Sequence, residues 1–263
     1  MQTAVSAEQI EQFQTQGFLL LPNFLDDAEL EHWRTVVEEA VRLRLTGSAL
    51  NNQGDPTAFY AQVFTQCLHL RNIHPPMAGL LYDERLGRLA GNLASVDGMR
   101  VWQDQALIKQ PYANHTSFHF DDAYWSFYSR QSVSFWVALD DATLTNGCLW
   151  YLPGTHLQSR YELVPINENL GDIFKAYPEW KTIEAVPCPC PAGSVLVHNA
   201  MVAHGAGVNL TPRHRRAMTW AYMPDGAVFN GQQSCLPAEY AETLRPGDVL
   251  NDDTHLRLVW RRN

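Results

Sequence analysis

Apolar positions in the first third of the chain recur with a helical period. Ser6 followed three residues later by Gln9 has the form of a capping box, Ile10 and Phe13 share one helical face, and Gly17 marks a stop. Phe18–Leu21 reads as a short buried strand. After Asp26 and Asp27, the stripe Leu30, Trp33, Val37, Ala40 and Val41 predicts a second helix ending near Leu43. The polar stretch 47–57 is expected to be a loop, and 77–94 to be mixed but mostly helical.

From residue 100 the period shortens. The runs 100–109, 131–139, 148–152, 194–198 and 215–222 are rich in β-branched or aromatic residues, with Asn146-Gly147, Pro153-Gly154 and Ala192-Gly193 between them. Helices first and then many short strands predict an antiparallel β-sandwich or barrel buttressed by helices, not alternating βαβ units. No linker interrupts the pattern. We therefore expect a single domain over 1–263, with a mostly helical buttress at 1–99, a strand core at 100–224 and a C-terminal covering segment at 225–263.

Composition narrows the function classes. The 263 residues carry a net charge of −9, and Lys109, Lys175 and Lys181 are the only lysines, which argues against a nucleic-acid partner. No apolar run approaches the roughly 20 residues of a membrane helix. The N-terminus has neither a basic nor an apolar signal region, so no membrane partner or secretion is expected. The five cysteines form no paired zinc spacing, since Cys188 and Cys190 flank a single proline, and they read as reduced thiols of a cytoplasmic protein. A small molecule is the expected partner. Oligomeric state is not legible at this level.

The densest chemistry lies in Ser117–Trp125. In extended chain His119 and Asp121 project together, and an imidazole and a carboxylate at that spacing can chelate one divalent metal; Asp122 fails the parity and reads either as a residue supporting the ligands from behind or as a turn residue. Three later histidines compete to complete the set. His198 sits in an apolar strand and reads as a core histidine, while His214 sits among arginines and reads as surface. His204, followed by the small residues Gly205, Ala206 and Gly207, is the third candidate ligand. Two histidines and one carboxylate with open positions suit a non-haem Fe(II) oxygenase, whereas a closed zinc site wants a fourth protein ligand. Arg215 shares its strand face with Ala217, Thr219 and Ala221, so an arginine in a small-residue cavity is available to clamp a dicarboxylate.

The segments LIKQPYANHTSFHFDDAYW, SFWVALDDATLTNGCLWYLPGTH and GSVLVHNAMVAHGAGVNLTPRHRRAMTWAYM, with the opening EQIEQFQTQGFLLLPNFLDDAEL, resemble the phytanoyl-CoA dioxygenase family of Fe(II)/2-oxoglutarate oxygenases in order and spacing. The resemblance implies a mainly β fold with flanking helices: a double-stranded β-helix (jelly-roll, cupin-like) core buttressed by N-terminal α-helices. It implies that His119, Asp121 and His204 hold iron. Arg215, eleven residues after His204, would bind the far carboxylate of 2-oxoglutarate, and Trp136 and Gln105 would line the cosubstrate pocket. Parity supports Trp136, which shares a face with Ser132 and Ser134. Ala206 departs from the serine that many members carry after the His-Gly pair, and His156 in PGTH reads as turn architecture.

The implied reaction consumes O2 and 2-oxoglutarate, releases succinate and CO2, and hydroxylates an unactivated C–H of a small-molecule substrate, a specialised metabolite or an acyl compound. Retention of Asp121, which a related halogenase replaces with a small residue, favours hydroxylation or another oxidative outcome. Tyr112, Tyr124, Trp125 and Phe127 cluster around the metal motif and are candidates for an apolar substrate wall or for plain core. The scarcity of lysine weighs against a coenzyme A thioester. Two other classes fit the same residues: a catalytically silent small-molecule-binding member of the fold, and a cupin-like metal-dependent isomerase or hydrolase.

Overall fold

The computed structural model describes residues 1–46 and 59–262. The N-terminal helix α1 spans Ala7–Gln16, and the capping box is present: the Gln9 backbone N–H donates to Ser6 Oγ, and the Ser6 N–H donates to the Gln9 side chain. Gly17 ends the helix at φ +87°. A Cβ there would sit 2.6 Å from His156 Nδ1, so glycine is required by conformation and by space. His156 Nε2 in turn donates to the Gln14 carbonyl at 3.0 Å, satisfying a helix-end acceptor. The turn histidine thus ties the C-terminus of α1 to the strand core.

After β1 (Phe18–Leu21), helix α2 runs over Asp27–Thr46, three residues past the expected end. Leu43 faces solvent, but the buried stripe continues through Arg44, whose guanidinium donates to the His69 carbonyl at 2.8 Å. The predicted loop at 47–57 lies outside the described residues. A short helix α3 (Phe59–Val63) leads into β2 (Phe64–Leu68), and the mixed region divides into α4 (Pro75–Leu81) and α5 (Glu84–Ala94). Asp83 separates these two by accepting the Arg85 N–H, an N-cap that starts α5 afresh.

The remaining strands are β3 (Gly98–Lys109), β4 (Thr116–His119), β5 (Val133–Ala138), β6 (Leu149–Tyr151), β7 (Val186–Cys188), β8 (Val195–Asn199), β9 (His204–Ala206), β10 (Arg215–Pro224) and β11 (Leu258–Arg261). They form a seven-stranded sheet in the order β1-β8-β5-β10-β3-β11, with β2 also paired to β3, and a four-stranded sheet in the order β4-β9-β6-β7. The pairings are antiparallel, as a jelly roll requires. Period-2 alternation sorts the faces. Val133, Phe135 and Val137 of β5 join Met218 and Trp220 of β10 against Trp33, Val36 and Val37 of α2. Trp136, Ala138 and Ala217 point the other way and pack with Leu149, Tyr151 and Ala206 of the smaller sheet. The site lies on this inner side.

Two features depart from expectation. The minor sheet is built of strands of three or four residues, too short to carry a readable alternation. The C-terminal segment does more than cover the core, because β11 pairs with β3 at the edge of the large sheet. Its Trp260 ring fills a notch on α5, where a Cβ on Gly91 would lie 2.1 Å from the indole.

Candidate active site

The β4–β9 pairing brings the metal candidates together. His119 and His204 are cross-strand partners in that ladder. The strands approach so closely that a Cβ on Gly205 would lie 2.5 Å from the Thr116 carbonyl oxygen. His119 ends β4 and Phe120 stays extended, so Asp121, at the start of a 3-10 turn, still projects beside His119. Ligand atoms of His119, Asp121 and His204 all lie within 4.8 Å of one another. Asp121 Oδ1 is 3.9 Å from His119 Nε2 and 3.7 Å from His204 Nε2.

Neighbouring groups fix the orientation of each donor. His119 Nδ1 lies 2.9 Å from the Ser117 carbonyl and His204 Nδ1 lies 3.1 Å from the Val202 carbonyl. A carbonyl only accepts, so Nδ1 carries the proton in both rings and each Nε2 lone pair faces the centre. Asp121 Oδ2 accepts from Ser134 Oγ at 2.6 Å and from His198 Nε2 at 3.2 Å, which leaves Oδ1 to the centre. His198 Nδ1 is therefore the acceptor, and the Tyr151 hydroxyl donates to it at 3.0 Å. His198 is buried and satisfied, as its apolar strand suggested, but the partner that satisfies it is the candidate ligand Asp121. Nothing in the linear pattern carried that connection.

The protonation states match metal binding. Burial pushes His119 and His204 below the usual imidazole range, keeping them neutral. Burial also pulls Asp121 upward, but His204, His198 and His119 outweigh it and hold the carboxyl well below its ordinary value. Two neutral imidazoles and one carboxylate are what a divalent ion requires, and three ligands leave positions open.

A narrow cavity of about 70 Å³ is lined by His119, Asp121 and His204 together with Arg215, Trp136 and Gln105. Arg215 is only 1% exposed, and its Nε and Nη1 have no hydrogen-bond partner among the described residues. The guanidinium carbon lies 4.9 Å from the centroid of the Trp136 ring. Burial pushes its pKa down to about 10, which still leaves it charged at neutral pH. A buried guanidinium with two donor nitrogens unfilled among the described residues, beside a metal-competent triad, has the chemistry to take an anion. Arg216, on the opposite face of β10 from Arg215, pairs with Asp140 and Glu38.

The other candidates divide. Gln105 accepts from Gln66 Nε2 and lines both the narrow cavity and an open cleft beside it. Tyr124 and Trp125 line that cleft. Tyr112 and Phe127 do not. Tyr112 is 70% exposed at a turn with φ +55°, while Phe127 is fully buried, edge-on to Trp102 in a core against the C-terminal segment. Proximity along the chain to the metal motif was a poor guide, because the turns on either side of β4 carry these residues away from the cavity. His214 is exposed, 3.1 Å from the Gln110 side chain, and Asp122 is a turn residue whose Oδ2 accepts the Ser129 N–H. Tyr60 of α3 lines both cavities and was not foreseen, since a five-residue helix after a polar stretch gives no signal.

Comparison with known proteins accords with this geometry. The phytanoyl-CoA dioxygenase (PhyH) family profile matches residues 13–217. The chain is 32% identical over 224 residues to "Dioxygenase lolE1" of Epichloe uncinata, a match covering 83% of this chain and 82% of that protein. Among solved structures, the non-haem alpha-ketoglutarate-dependent carbocyclase SnoK from nogalamycin biosynthesis shares the fold, with a TM-score of 0.77 at 24% identity, covering 97% of this chain and 96% of that one. EvdO2 from Micromonospora carbonacea var. aurantiaca, complexed with 2-oxoglutarate, superposes with a TM-score of 0.63 at 25% identity, covering 84% of this chain and 91% of that one. With the family's extent and the jelly-roll architecture in agreement, the chain belongs to the phytanoyl-CoA dioxygenase family of non-haem iron- and 2-oxoglutarate-dependent dioxygenases.

Proposed function

We propose that this protein binds Fe(II) through His119, Asp121 and His204, takes 2-oxoglutarate as cosubstrate on Arg215, and hydroxylates a C–H bond of a small molecule. The observation that carries this reading is the buried guanidinium of Arg215, unpartnered at Nε and Nη1 among the described residues, in the same narrow cavity as the three candidate ligands. Bound iron with 2-oxoglutarate supplies O2 activation coupled to decarboxylation, with succinate and CO2 as co-products. The protein's own residues do the rest. Arg215 neutralises the far carboxylate, and the Trp136 ring packs against the guanidinium in a cation–π contact. Ser134 and His198 hold Asp121 through Oδ2 so that it offers one oxygen and leaves positions open. The narrow cavity keeps bulk water from the reacting centre.

The whole of 1–263 is read as one oxygenase domain, with the C-terminal segment supplying part of the cleft wall. Five free cysteines fit a cytoplasmic, reducing setting in which Fe(II) persists. Among the described residues no helix is long and apolar enough to cross a membrane.

The test is spectroscopic. Anaerobic addition of Fe(II) and 2-oxoglutarate should give a visible metal-to-ligand charge-transfer band. Persistence of the band in His119→Ala, or unchanged 2-oxoglutarate affinity in Arg215→Ala, would overturn the proposal. Binding with no succinate formed under any substrate screen would indicate a silent binding protein. Turnover that needs neither O2 nor 2-oxoglutarate would indicate an isomerase or hydrolase.

A further inference from the structure

A cleft of about 780 Å³ opens from His119 and Asp121 toward solvent. Gln66 of β2 and Gln103 and Gln105 of β3 contribute side-chain amides to it. The Gln66 amide donates to Gln105, while that of Gln103 has no partner among the described residues. Tyr124 donates its hydroxyl to the Val164 carbonyl at 2.7 Å and so presents its ring beside Trp125. Ser234 and Cys235 add two further polar groups.

Charge is the deciding feature of this lining. Among the described residues Asp121, already assigned to the metal, is its one ionised side chain. Burial and the neighbouring Arg71 push His69 down to about 4, so its imidazole is neutral. Burial pushes the Cys235 thiol up to about 12. The two guanidiniums behind His69 are engaged elsewhere: Arg71 pairs with Asp104 and donates to the Trp102 carbonyl, and Arg44 donates to the His69 carbonyl. Residues 47–58 contain no lysine or arginine. A phosphate or carboxylate entering this cleft would lose its hydration with no cationic side chain among the described lining residues to replace it. Amides satisfy hydroxyl and carbonyl groups, and aromatic faces take the C–H faces of a saturated ring.

We infer that the cleft takes an uncharged, oxygen-rich alicyclic substrate, of the polyol, lactone or glycoside class, and rejects coenzyme A thioesters, free carboxylates and phosphonates. The inference rests on the oxygenase reading, which makes this cleft the substrate side.

Zn(II)-substituted protein loaded with 2-oxoglutarate binds without turning over, so saturation-transfer NMR can report occupancy directly. The probes are cyclitols, lactones and methyl glycosides, each with its carboxylate, phosphate and amine counterpart, together with a saturated acyl-CoA. At least one uncharged probe should bind, with charged counterparts roughly tenfold weaker or worse, and Gln103→Leu should abolish that binding. Equal or tighter binding of a charged counterpart, binding of the acyl-CoA, retained binding in Gln103→Leu, or silence of every uncharged probe would overturn the inference. Failure of 2-oxoglutarate itself to load would instead remove the oxygenase reading, and its own NMR signal separates the two.

Discussion

Replacing Arg215 with methionine should make the unliganded protein more stable while removing its response to cosubstrate. Arg215 is 1% exposed, and its Nε and Nη1 are without partners among the described residues. Burial moves its pKa down to about 10, a displacement worth about 3 kcal/mol against the charged form. Methionine removes the charge and keeps most of the volume, and such replacements of buried charge stabilise by about 1–4 kcal/mol. At about 2–4 °C per kcal/mol for a chain of this size, the unliganded melting temperature should rise by several degrees. In the wild type with Zn(II), 2-oxoglutarate at about 100 times its Kd should add about 2.7 kcal/mol, or roughly 5–10 °C. Arg215→Met should lose that shift, because truncating one side of a buried charge pair costs about 2–5 kcal/mol of binding. Differential scanning fluorimetry measures both effects in one plate. A variant that melts below wild type when unliganded, yet keeps the full ligand shift, would refute the assignment of Arg215 as an anion clamp awaiting its partner.

The hydrogen bonds behind Asp121 should matter for metal affinity: Ser134→Ala and His198→Gln are each expected to weaken Co(II) binding about 10–100-fold in an absorbance titration, and unchanged affinity would count against the positioning role. Gly205→Ala should push β4 from β9, since its Cβ would lie 2.5 Å from the Thr116 carbonyl, costing about 1–3 kcal/mol in melting experiments and disrupting the same metal titration. His69 is neutral in the fold down to about 4, whereas in the unfolded chain it protonates below about 6.5. The unfolded state thus binds the extra proton in that window, and stability falls as pH drops from about 6.5 to about 4, by up to about 3 kcal/mol. His69→Asn, which tolerates the φ of +55° there, should flatten this limb of a melting temperature–pH curve.

Much of the site was legible in the chain because strand parity is a local property. It placed Arg215 among Ala217, Thr219 and Ala221, and Trp136 with Ser132 and Ser134, and both residues line the cavity. Parity also put Arg216 on the face opposite Arg215, where the structure pairs it with Asp140 and Glu38. The misplacements have a different cause. Tyr112 and Phe127 were grouped with the site because they are near His119 in sequence, but a left-handed turn carries Tyr112 to the surface and the C-terminal segment buries Phe127 elsewhere. The strands of the minor sheet were too short to show a period, although one of them carries His204.

The sequence alone determined the helical entrance with its capping box, the alternating strands, the choice of ligand residue types and their family. Each of these is encoded within a few residues, where propensity, parity and side-chain chemistry act locally. Only the tertiary structure decided which atoms meet. His119 and His204 are 85 positions apart and become neighbours through one short antiparallel ladder. His198 reaches Asp121 because β8 and β5 pair at His198 and Ser134, so that both side chains point at the same carboxylate oxygen. The uncharged lining of the cleft likewise arises from β2, β3 and the distant Ser234–Leu236 together, since the charge around a site is a sum over elements that no local pattern contains.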